Sequence, residues 1–510
     1  MSVADATADF GIEDHRLADR SDRAFLGHPK GLGYLSFIEA CERFSYYSMQ
    51  TLLTLYMVNY LLVGERMNGV IGLDWLRSWH YQGLEGQPLS SAIFGDYTSL
   101  VYLTPIFGGI IADRFSGRRV ALFAGGLVMS IGHFLMAIEG AFLFALLALI
   151  VGVGLFKGNI ASQVGALYRP GDLRRAMAFQ IFYIAINVSV ILAPLISGTL
   201  GEEVGWHYGF GTAGIVMVIG VLIFLKGRKH LPVEEGRTAS IGLGTTLRTM
   251  AVAVAVTAIV VGITLAAGIL FALAALIPLY FILTHRLAGK EKARVLALIL
   301  LIPVMAVALL TNQQIFNAYL IWGDQQFDLT FFGVTLPTTW LVTIDASLSF
   351  GMLVAVAAFW AFWGRKRREP DELTKIIIGS AFSVAGGLCL VAAAAFQAPG
   401  EKIGLFWPAM FHLLNSIGFA HLLPISLALF SRLAPAAIAS TVIGLYYLSF
   451  FLANKMTGMI GEWFTTMDTT QFWLLHVGSA LAAGLVFLLY KAVLGKYLLQ
   501  SEEPAPDPLR

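Results

Sequence analysis

The 510-residue sequence has little charge and almost no cysteine. Charged residues make up 13% of the chain, whereas 57% of its residues are hydrophobic. Soluble proteins carry roughly 25% charged residues, and disordered chains or coiled coils need even more polar composition, so these classes are excluded. The two cysteines, Cys41 and Cys389, both lie in apolar segments, which excludes a disulfide framework. The formal net charge of +2 gives no overall attraction to nucleic acid.

The hydrophobic residues are concentrated in runs that are long enough to cross a bilayer. A hydrocarbon core needs about 20 apolar residues in helical form, and open strands cannot satisfy their backbone groups in lipid. Twelve such runs surround an ambiguous block at 250–284, and they cover 33–63, 91–112, 120–138, 141–167, 176–200, 210–225, 295–321, 340–363, 376–396, 403–429, 438–459 and 472–494. We therefore predict an all-α polytopic membrane protein.

The basic residues of the connections predict the orientation of these helices. Alternate connections are rich in Lys and Arg, as at 114–119, 226–229 and 365–368, and the others contain mainly acidic residues. By the positive-inside rule, the basic connections and both termini are cytoplasmic. The block 250–284 has basic residues on both sides, so it should cross an even number of times, as a hairpin that turns near Gly268. This predicts 6+6 transmembrane helices with an inserted two-helix hairpin, 14 spans in all.

The same pattern predicts the domain organisation. We expect a cytoplasmic tail at 1–30, a six-helix bundle at 31–228, a linker with the hairpin at 229–292, a second six-helix bundle at 293–496 and a cytoplasmic tail at 497–510. The N-terminal tail has no apolar core of the kind that a signal peptide needs. The predicted location is the cell (inner) membrane.

Charged residues inside the first predicted span mark a candidate functional site, because such residues are expensive in lipid and usually functional. Five polar residues follow helical spacing along one stripe of this span: Glu39, Glu42, Arg43, Tyr46 and Gln50. Two acids beside one arginine leave a surplus negative charge that a proton would neutralise. The alternative is an ion pair that only holds two helices together, although buried pairs are costly substitutes for apolar packing.

Polar residues in other spans extend the candidate site. Lys157 lies toward the middle of the fourth span, so we expect it to face an aqueous cavity or an anion, the alternative being a lysine that reaches an interface. The others are Asp96, Asn187, Asn312 and Asp345. The amides would also serve as contacts between helices, and the two aspartates would also fit solvated span ends. No metal-ligand spacing, nucleophile–base arrangement or phosphate loop stands out, so no enzyme is predicted.

Several motifs resemble those of a transporter family. Residues 109–119, GIIADRFSGRR, are similar to the loop signature of the major facilitator superfamily. Residues 39–47, EACERFSYY, resemble the first-helix signature of the proton-dependent oligopeptide transporters, the POT family. Segments 156–160, 182–187 and 205–210 look like further motifs of that family, and the resemblance covers nearly the whole chain.

The resemblance implies a major facilitator fold and proton-coupled import of di- and tripeptides by alternating access. The partners would be a small peptide, protons and the lipid bilayer, for a monomer that needs no cofactor besides the proton gradient. Protonation of Glu39 or Glu42 would release Arg43, which would bind the substrate carboxylate together with Lys157. The family's remaining pocket positions fall on Tyr46, Tyr47, Tyr102 and Asn187.

The sequence departs from the family pattern where a peptide would bind. Gln50 replaces the usual Arg for the peptide carboxylate, and Phe419 replaces the usual Glu for the amino group. The family's seventh-helix acid corresponds to Asn312 here. These changes leave an alternative open, which is proton-coupled import of another small carboxylate-bearing solute.

Two aspartates also stand at unusual positions. Asp345 replaces an eighth-helix Asn, and we expect it, with Asn187, to bind the amino end of a peptide. Asp96 falls where some members have a His, and we expect it to be a second proton site that faces Asn312.

Overall fold

The computed structural model describes residues 22–169, 172–232, 241–435 and 438–499. Within these residues the chain is almost entirely α-helical, as the apolar runs predict. Most of the two predicted tails, 1–30 and 497–510, lies outside the described residues.

The first half of the chain forms eight α-helices within the described residues. They are α1 (Lys30–Tyr56), α2 (Leu73–Trp79), α3 (Gly86–Ile111), α4 (Arg118–Leu135), α5 (Phe142–Ala166), α6 (Arg174–Ala193), α7 (Trp206–Gly227) and α8 (Leu243–Thr284). Short π-helical or 3₁₀ turns lie at Met57–Leu61, Gly64–Gly69, Ala112–Ser116, Glu139–Ala141, Pro194–Gly198, Leu200–Val204 and Arg228–His230.

The second half adds eight more helices and one small hairpin. The helices are α9 (Gly289–Gln313), α10 (Ala318–Gln326), α11 (Trp340–Gly364), α12 (Glu372–Ala395), α13 (Phe406–Leu433), α14 (Ala439–Tyr446), α15 (Leu448–Gly461) and α16 (Thr469–Leu499), with a 3₁₀ turn at Gln314–Phe316. The antiparallel strands β1 (Thr330–Phe331) and β2 (Val334–Thr335) lie between α10 and α11.

Nine helical segments of the described chain are long and apolar enough to cross a membrane. The first predicted span also forms a helix, but Glu39, Glu42 and Arg43 make it more polar. The eleventh is divided at Tyr447 into α14 and α15. The total of 14 spans therefore stays a prediction.

The long helix α8 is interrupted at Gly268. The backbone there has φ of 66° and ψ of −172°, a positive φ that favours glycine because a side chain would be strained. This break falls at the position where the sequence predicts that the inserted hairpin turns.

Contacts divide the chain into two compact units. The first contains the described residues of Met1–Leu84, Leu100–Ile263 and Pro337–Thr343, and the second contains those of Glu85–Ser99, Thr264–Leu336 and Ile344–Arg510. The predicted division at the linker 229–292 stays a prediction.

The two units repeat one packing pattern. In the first unit, α1 packs against α6 and α7, and α4 packs against α5 and α7. In the second unit, α9 packs against α15 and α16, and α12 packs against α13 and α16. Counted by predicted spans, each partner in the second unit lies six spans after its counterpart in the first, so the chain contains an internal structural repeat of the kind found in transporters.

Candidate functional site

The charged residues of α1 form a buried cluster in the first unit. Glu39, Glu42 and Arg43 are only 4%, 0% and 5% exposed. The Arg43 guanidinium donates to both oxygens of Glu42, from Nε at 2.5 Å and from Nη2 at 2.7 Å. Its Nε also lies 3.3 Å from Glu39 Oε1. One guanidinium therefore holds two carboxylates, as the helical spacing predicts.

The two carboxylates of this cluster differ in their hydrogen bonding. Both oxygens of Glu42 accept charge-assisted hydrogen bonds from Arg43. Glu39 Oε2, by contrast, is buried and accepts no hydrogen bond from the part of the chain that the structure describes. A buried carboxylate oxygen without a donor is costly, and a neutral carboxyl group is much cheaper to bury. Of the two acids, Glu39 is the better suited to carry a proton.

Aromatic rings connect Arg43 to the second cation, Lys157. The ring of Tyr46 lies 5.0 Å from Arg43 Cζ and 5.6 Å from Lys157 Nζ. Lys157 Nζ also lies 4.0 Å from the ring centroid of Tyr102, and Tyr47 packs edge-on against Tyr46 at 5.1 Å. These distances lie within the range of cation–π attraction, which stabilises a cation that has left water. Four of the predicted substrate-binding residues, Tyr46, Tyr47, Tyr102 and Lys157, are therefore linked to Arg43 through the ring of Tyr46.

Two glycines allow α3 and α5 to bring Tyr102 and Lys157 together. A Cβ atom added at Gly108 on α3 would lie 1.9 Å from the carbonyl oxygen of Gly154 on α5. The backbones are thus too close for any side chain at this crossing. Tyr102 lies six residues before Gly108, and Lys157 lies three residues after Gly154, so both extend from the same crossing.

The formal charges of this cluster add up to zero. Glu39 and Glu42 carry two negative charges, and Arg43 and Lys157 carry two positive ones. The surplus negative charge that the first span suggests by itself is thus offset by a residue of another helix. Binding one proton would leave the cluster with one excess positive charge, which is the charge that a carboxylate ligand requires.

Two predicted residues of the first unit lie apart from these contacts. Gln50 is buried on α1, two turns beyond Arg43. Asn187 is half-buried on α6, where its side-chain amide donates to the Tyr183 carbonyl of its own helix at 2.8 Å. Their roles in substrate binding stay predictions.

A second buried polar cluster lies in the second unit and contains Asp345. Asp345 Oδ1 lies 2.9 Å from Nδ1 of His412 on α13, and His412 Nε2 lies 2.7 Å from the hydroxyl of Tyr319 on α10. Neither His412 nor Tyr319 is among the residues predicted from the sequence. His412 is a polar residue inside a predicted apolar span, which indicates a partner, but nothing in the spacing connects His412 or Tyr319 with Asp345.

Asp96 forms a buried ion pair that the sequence analysis did not foresee. Its carboxylate contacts the ammonium group of Lys455 on α15, and the two residues are 5% and 8% exposed. Lys455 stands inside the eleventh predicted span, so its charge alone was a signal for a partner. Asn312 and Phe419, the other predicted residues of this unit, are half-buried on α9 and α13. The role of Asp96 as a proton site stays a prediction.

The fold and the buried charges define a polytopic helical transporter, and comparisons with known proteins identify its family. A profile described as the POT family matches residues 119–474. The chain is 31% identical over 471 residues to "Peptide transporter YePEPT" of Yersinia enterocolitica, covering 86% of this chain and 88% of that protein. It is 31% identical over 485 residues to "Uncharacterized transporter YclF" of Bacillus subtilis, covering 92% and 94%. The chain belongs to the POT family.

Solved structures agree with this assignment. The crystal structure of "peptide transporter POT in complex with sulfate" is 29% identical, with a TM-score of 0.77 over 95% of this chain and 98% of that one. A "POT family transporter in complex with 5-aminolevulinic acid" is 24% identical with a TM-score of 0.78, which supports the fold alone. The expected family, the major facilitator fold and the expectation of a transporter rather than an enzyme are confirmed. POT transporters use the proton gradient and need no cofactor, as expected.

Proposed function

We propose that this protein is a proton-coupled symporter that imports di- and tripeptides across the cell (inner) membrane by alternating access, with both termini in the cytoplasm. The observation that carries the proposal is the buried guanidinium of Arg43, which two carboxylates share. The family and its relatives support the substrate class, since they include "Peptide transporter YePEPT" and a "Di-/tripeptide transporter" of Lactococcus lactis.

In the unloaded protein, Arg43 is engaged by its own helix. Glu42 binds it with two oxygens and Glu39 lies against its Nε, so two carboxylates already neutralise the guanidinium and occupy its Nε edge. The cluster is neutral, and a carboxylate entering it would bring an uncompensated buried charge. Such a charge is strongly disfavoured, so the anion binds poorly in this state.

A proton from outside then binds Glu39, because its Oε2 is the carboxylate oxygen that lacks a donor. The neutral acid attracts Arg43 more weakly, and the cluster gains one positive charge. The substrate carboxylate binds Arg43 and Lys157, which restores neutrality. Proton and carboxylate therefore bind cooperatively, since each removes the electrostatic penalty of the other.

After the site opens to the cytoplasm, the carboxylate and the proton leave, and the Glu39–Arg43 contact forms again. The same linkage makes release cooperative. Loss of the proton lowers the affinity for the carboxylate, and loss of the carboxylate lowers the affinity for the proton, so the two are transported together.

A second candidate substrate is another small carboxylate-bearing solute. The steps above need only one carboxylate, and they use no group that recognises a peptide amino group. Gln50 is neutral and buried, and Phe419 is apolar, where peptide-binding relatives usually carry charges. If this second candidate is right, other monocarboxylates should compete with peptides for the site.

Uptake by proteoliposomes tests the proposal. The purified protein is reconstituted, a pH gradient is imposed, and accumulation of labelled dialanine is measured with and without an excess of trialanine, alanine or nitrate. We expect accumulation that follows the gradient and that trialanine, but neither alanine nor nitrate, inhibits. Accumulation that does not depend on the gradient would contradict the coupling, and stronger inhibition by a non-peptide carboxylate would favour the second candidate.

A further inference from the structure

We propose that Asp345, His412 and Tyr319 form a second proton-binding site, in which His412 holds the proton. The part of this inference that links the proton to uptake rests on the proposed symport. The presence of the proton site does not, because it follows from the geometry of three side chains.

The three groups form a continuous hydrogen-bonded chain across three helices. His412 on α13 lies between the carboxylate of Asp345 on α11, at 2.9 Å, and the hydroxyl of Tyr319 on α10, at 2.7 Å. His412 and Tyr319 are 0% exposed, and Asp345 is 8% exposed. Both ring nitrogens of the imidazole are therefore used, and each faces a different chemical group.

The chemistry of each group fixes the hydrogen positions. An ionised Asp345 can only accept, so Nδ1 of His412 carries the hydrogen that it donates to the carboxylate. In a neutral imidazole the other nitrogen has a lone pair, so Nε2 accepts a hydrogen bond from the Tyr319 hydroxyl. In this state the three hydrogen-bonded side chains together carry one net negative charge in a buried environment.

Addition of one proton to Nε2 removes that net charge. The imidazolium then donates at both nitrogens, to the Asp345 carboxylate and to the phenol oxygen of Tyr319, whose own hydrogen rotates out of the line. No covalent bond other than the new N–H forms or breaks. The protonated group of three side chains then carries no net charge in its buried environment.

The side chains that pack around Tyr319 are mainly aromatic. The Tyr319 ring packs against Phe411, Phe327 and Trp473, with ring centroids at 5.3, 5.6 and 6.4 Å. A further titratable group among the described residues near Tyr319 is His476, whose ring lies 5.3 Å from that of Trp473.

His476 is held in its neutral form by its own hydrogen bonds. Its Nδ1 faces the Phe472 carbonyl at 2.8 Å, and its Nε2 lies 3.2 Å from Gln314 Nε2. The amide nitrogen can only donate, so Nε2 of His476 accepts and Nδ1 donates to the carbonyl. The imidazole that faces a carboxylate, His412, is therefore the one placed to bind a proton.

A second histidine of α13 provides a matched control. His421 is also buried, but its Nε2 accepts from Trp360 Nε1 at 3.1 Å and its Nδ1 faces the Ile417 carbonyl at 2.8 Å. Both of its hydrogen bonds are thus satisfied by a neutral ring. Replacement of either histidine by glutamine keeps a hydrogen-bonding side chain and removes the titratable group.

The test compares His412→Gln and His421→Gln with the wild-type protein. Purified protein is titrated between about pH 8 and pH 5, the range in which histidine normally titrates, and bound protons are counted with an indicator dye. We expect His412→Gln to bind one proton fewer than the wild type and His421→Gln to bind the same number. In proteoliposomes, His412→Gln should lose much of the pH dependence of uptake but retain exchange of labelled for unlabelled dialanine.

Equal proton binding by His412→Gln and the wild type would overturn the inference. Failure of the wild type to transport dialanine would instead refute the proposed function, while the titration would still decide the role of His412. If His412→Gln elutes as an aggregate, Tyr319→Phe takes its place. Loss of the phenol hydroxyl removes the hydrogen-bond partner of His412 Nε2, so the titration midpoint should shift, and an unchanged midpoint would equally overturn the proposal.

Discussion

The two units of this transporter share a helix-packing pattern but differ in how they bury charge. In the first unit, Glu39, Glu42 and Arg43 lie within two turns of α1, and Lys157 balances their charge. In the second unit, Asp345 contacts the imidazole of His412 on a second helix, and that imidazole contacts the phenol of Tyr319 on a third. A repeated scaffold therefore does not imply repeated chemistry.

The difference predicts different couplings. One proton turns the neutral first cluster into a cationic one, so proton and carboxylate bind together. One proton turns the anionic second cluster into a neutral one, so proton binding there does not require an anion to bind as well. The following variants test this distinction, in order of decreasing expected effect.

The largest effect is expected for Arg43→Gln. Removal of one partner from a buried ion pair costs about 3–5 kcal/mol, because the other charges stay buried without compensation. The substrate also loses its main cation, so both uptake and exchange should fall at least about a hundredfold. Arg66→Gln is the control, since Arg66 is exposed in the 3₁₀ turn Gly64–Gly69 and lies over the Tyr60 ring at 4.3 Å. If Arg43→Gln retains exchange, Arg43 is not part of the substrate-binding site.

The next effect concerns the ion pair of Asp96 and Lys455 in the second unit. Asp96→Asn or Lys455→Gln alone should destabilise the protein by about 3 kcal/mol, because each leaves one buried charge unpaired. The double variant should recover most of this loss, as measured by thermal unfolding in detergent. If the double variant is stable but its uptake has an altered pH dependence, Asp96 is also a proton site; an unaltered dependence leaves the pair a purely structural contact.

A comparison of Glu39→Gln with Glu42→Gln sharpens the assignment within the first cluster. Glutamine at 39 mimics the protonated acid, so proton-driven accumulation should fall about tenfold or more while exchange continues. Glutamine at 42 removes the two-point contact with Arg43, so both activities should fall. The opposite result would place the transported proton on Glu42.

Lys157→Gln should have a smaller effect than Arg43→Gln. Lys157 is the second cation of the cluster, and its contacts in the structure are with the rings of Tyr46 and Tyr102. A hydrogen bond to a charged group is worth about 1.5–3 kcal/mol, so the KM for dialanine should rise about tenfold or more with little change in exchange at saturation. Lys157→Arg keeps the charge, so its KM for dialanine should lie between that of the wild type and that of Lys157→Gln. An unchanged KM in Lys157→Gln would exclude contact with the substrate.

The smallest effect is expected for Asp371, an acid that caps a helix outside both clusters. It accepts hydrogen bonds from the Thr374 backbone at 3.0 Å and from Lys491 at 2.7 Å. Burial acts against ionisation, but these bonds prevail and hold the pKa of Asp371 below its ordinary value. Its contribution to stability is therefore present above the pKa of the unfolded chain and is lost as pH falls through the folded-state pKa.

We expect Asp371→Ala to lower stability by about 0.5–2 kcal/mol at neutral pH, with a difference that shrinks in acid and no change in coupling. The control is Asp74→Ala, whose side chain is 71% exposed. A changed pH dependence of uptake in Asp371→Ala would mean that acids outside the two clusters also contribute to coupling.

The sequence alone was sufficient for the class of protein and for the row of charged residues on α1. Apolar runs of bilayer length leave helices as the only way to satisfy the backbone, and the charges of α1 are neighbours at helical spacing. The break at Gly268 was also predictable, because equally basic flanks require the intervening block to turn back. These features depend on local composition or on residues close together in the chain.

Only the tertiary structure decided which distant residues meet. Lys455 lies 359 positions after Asp96, and His412 lies 67 positions after Asp345, so no periodicity relates them. The partners follow from the packing of one helix against another, which the sequence of a single span does not encode. The residue that balances the surplus negative charge of α1, Lys157, likewise lies on another helix. It reaches Tyr102 because Gly108 and Gly154 let the backbones of α3 and α5 touch.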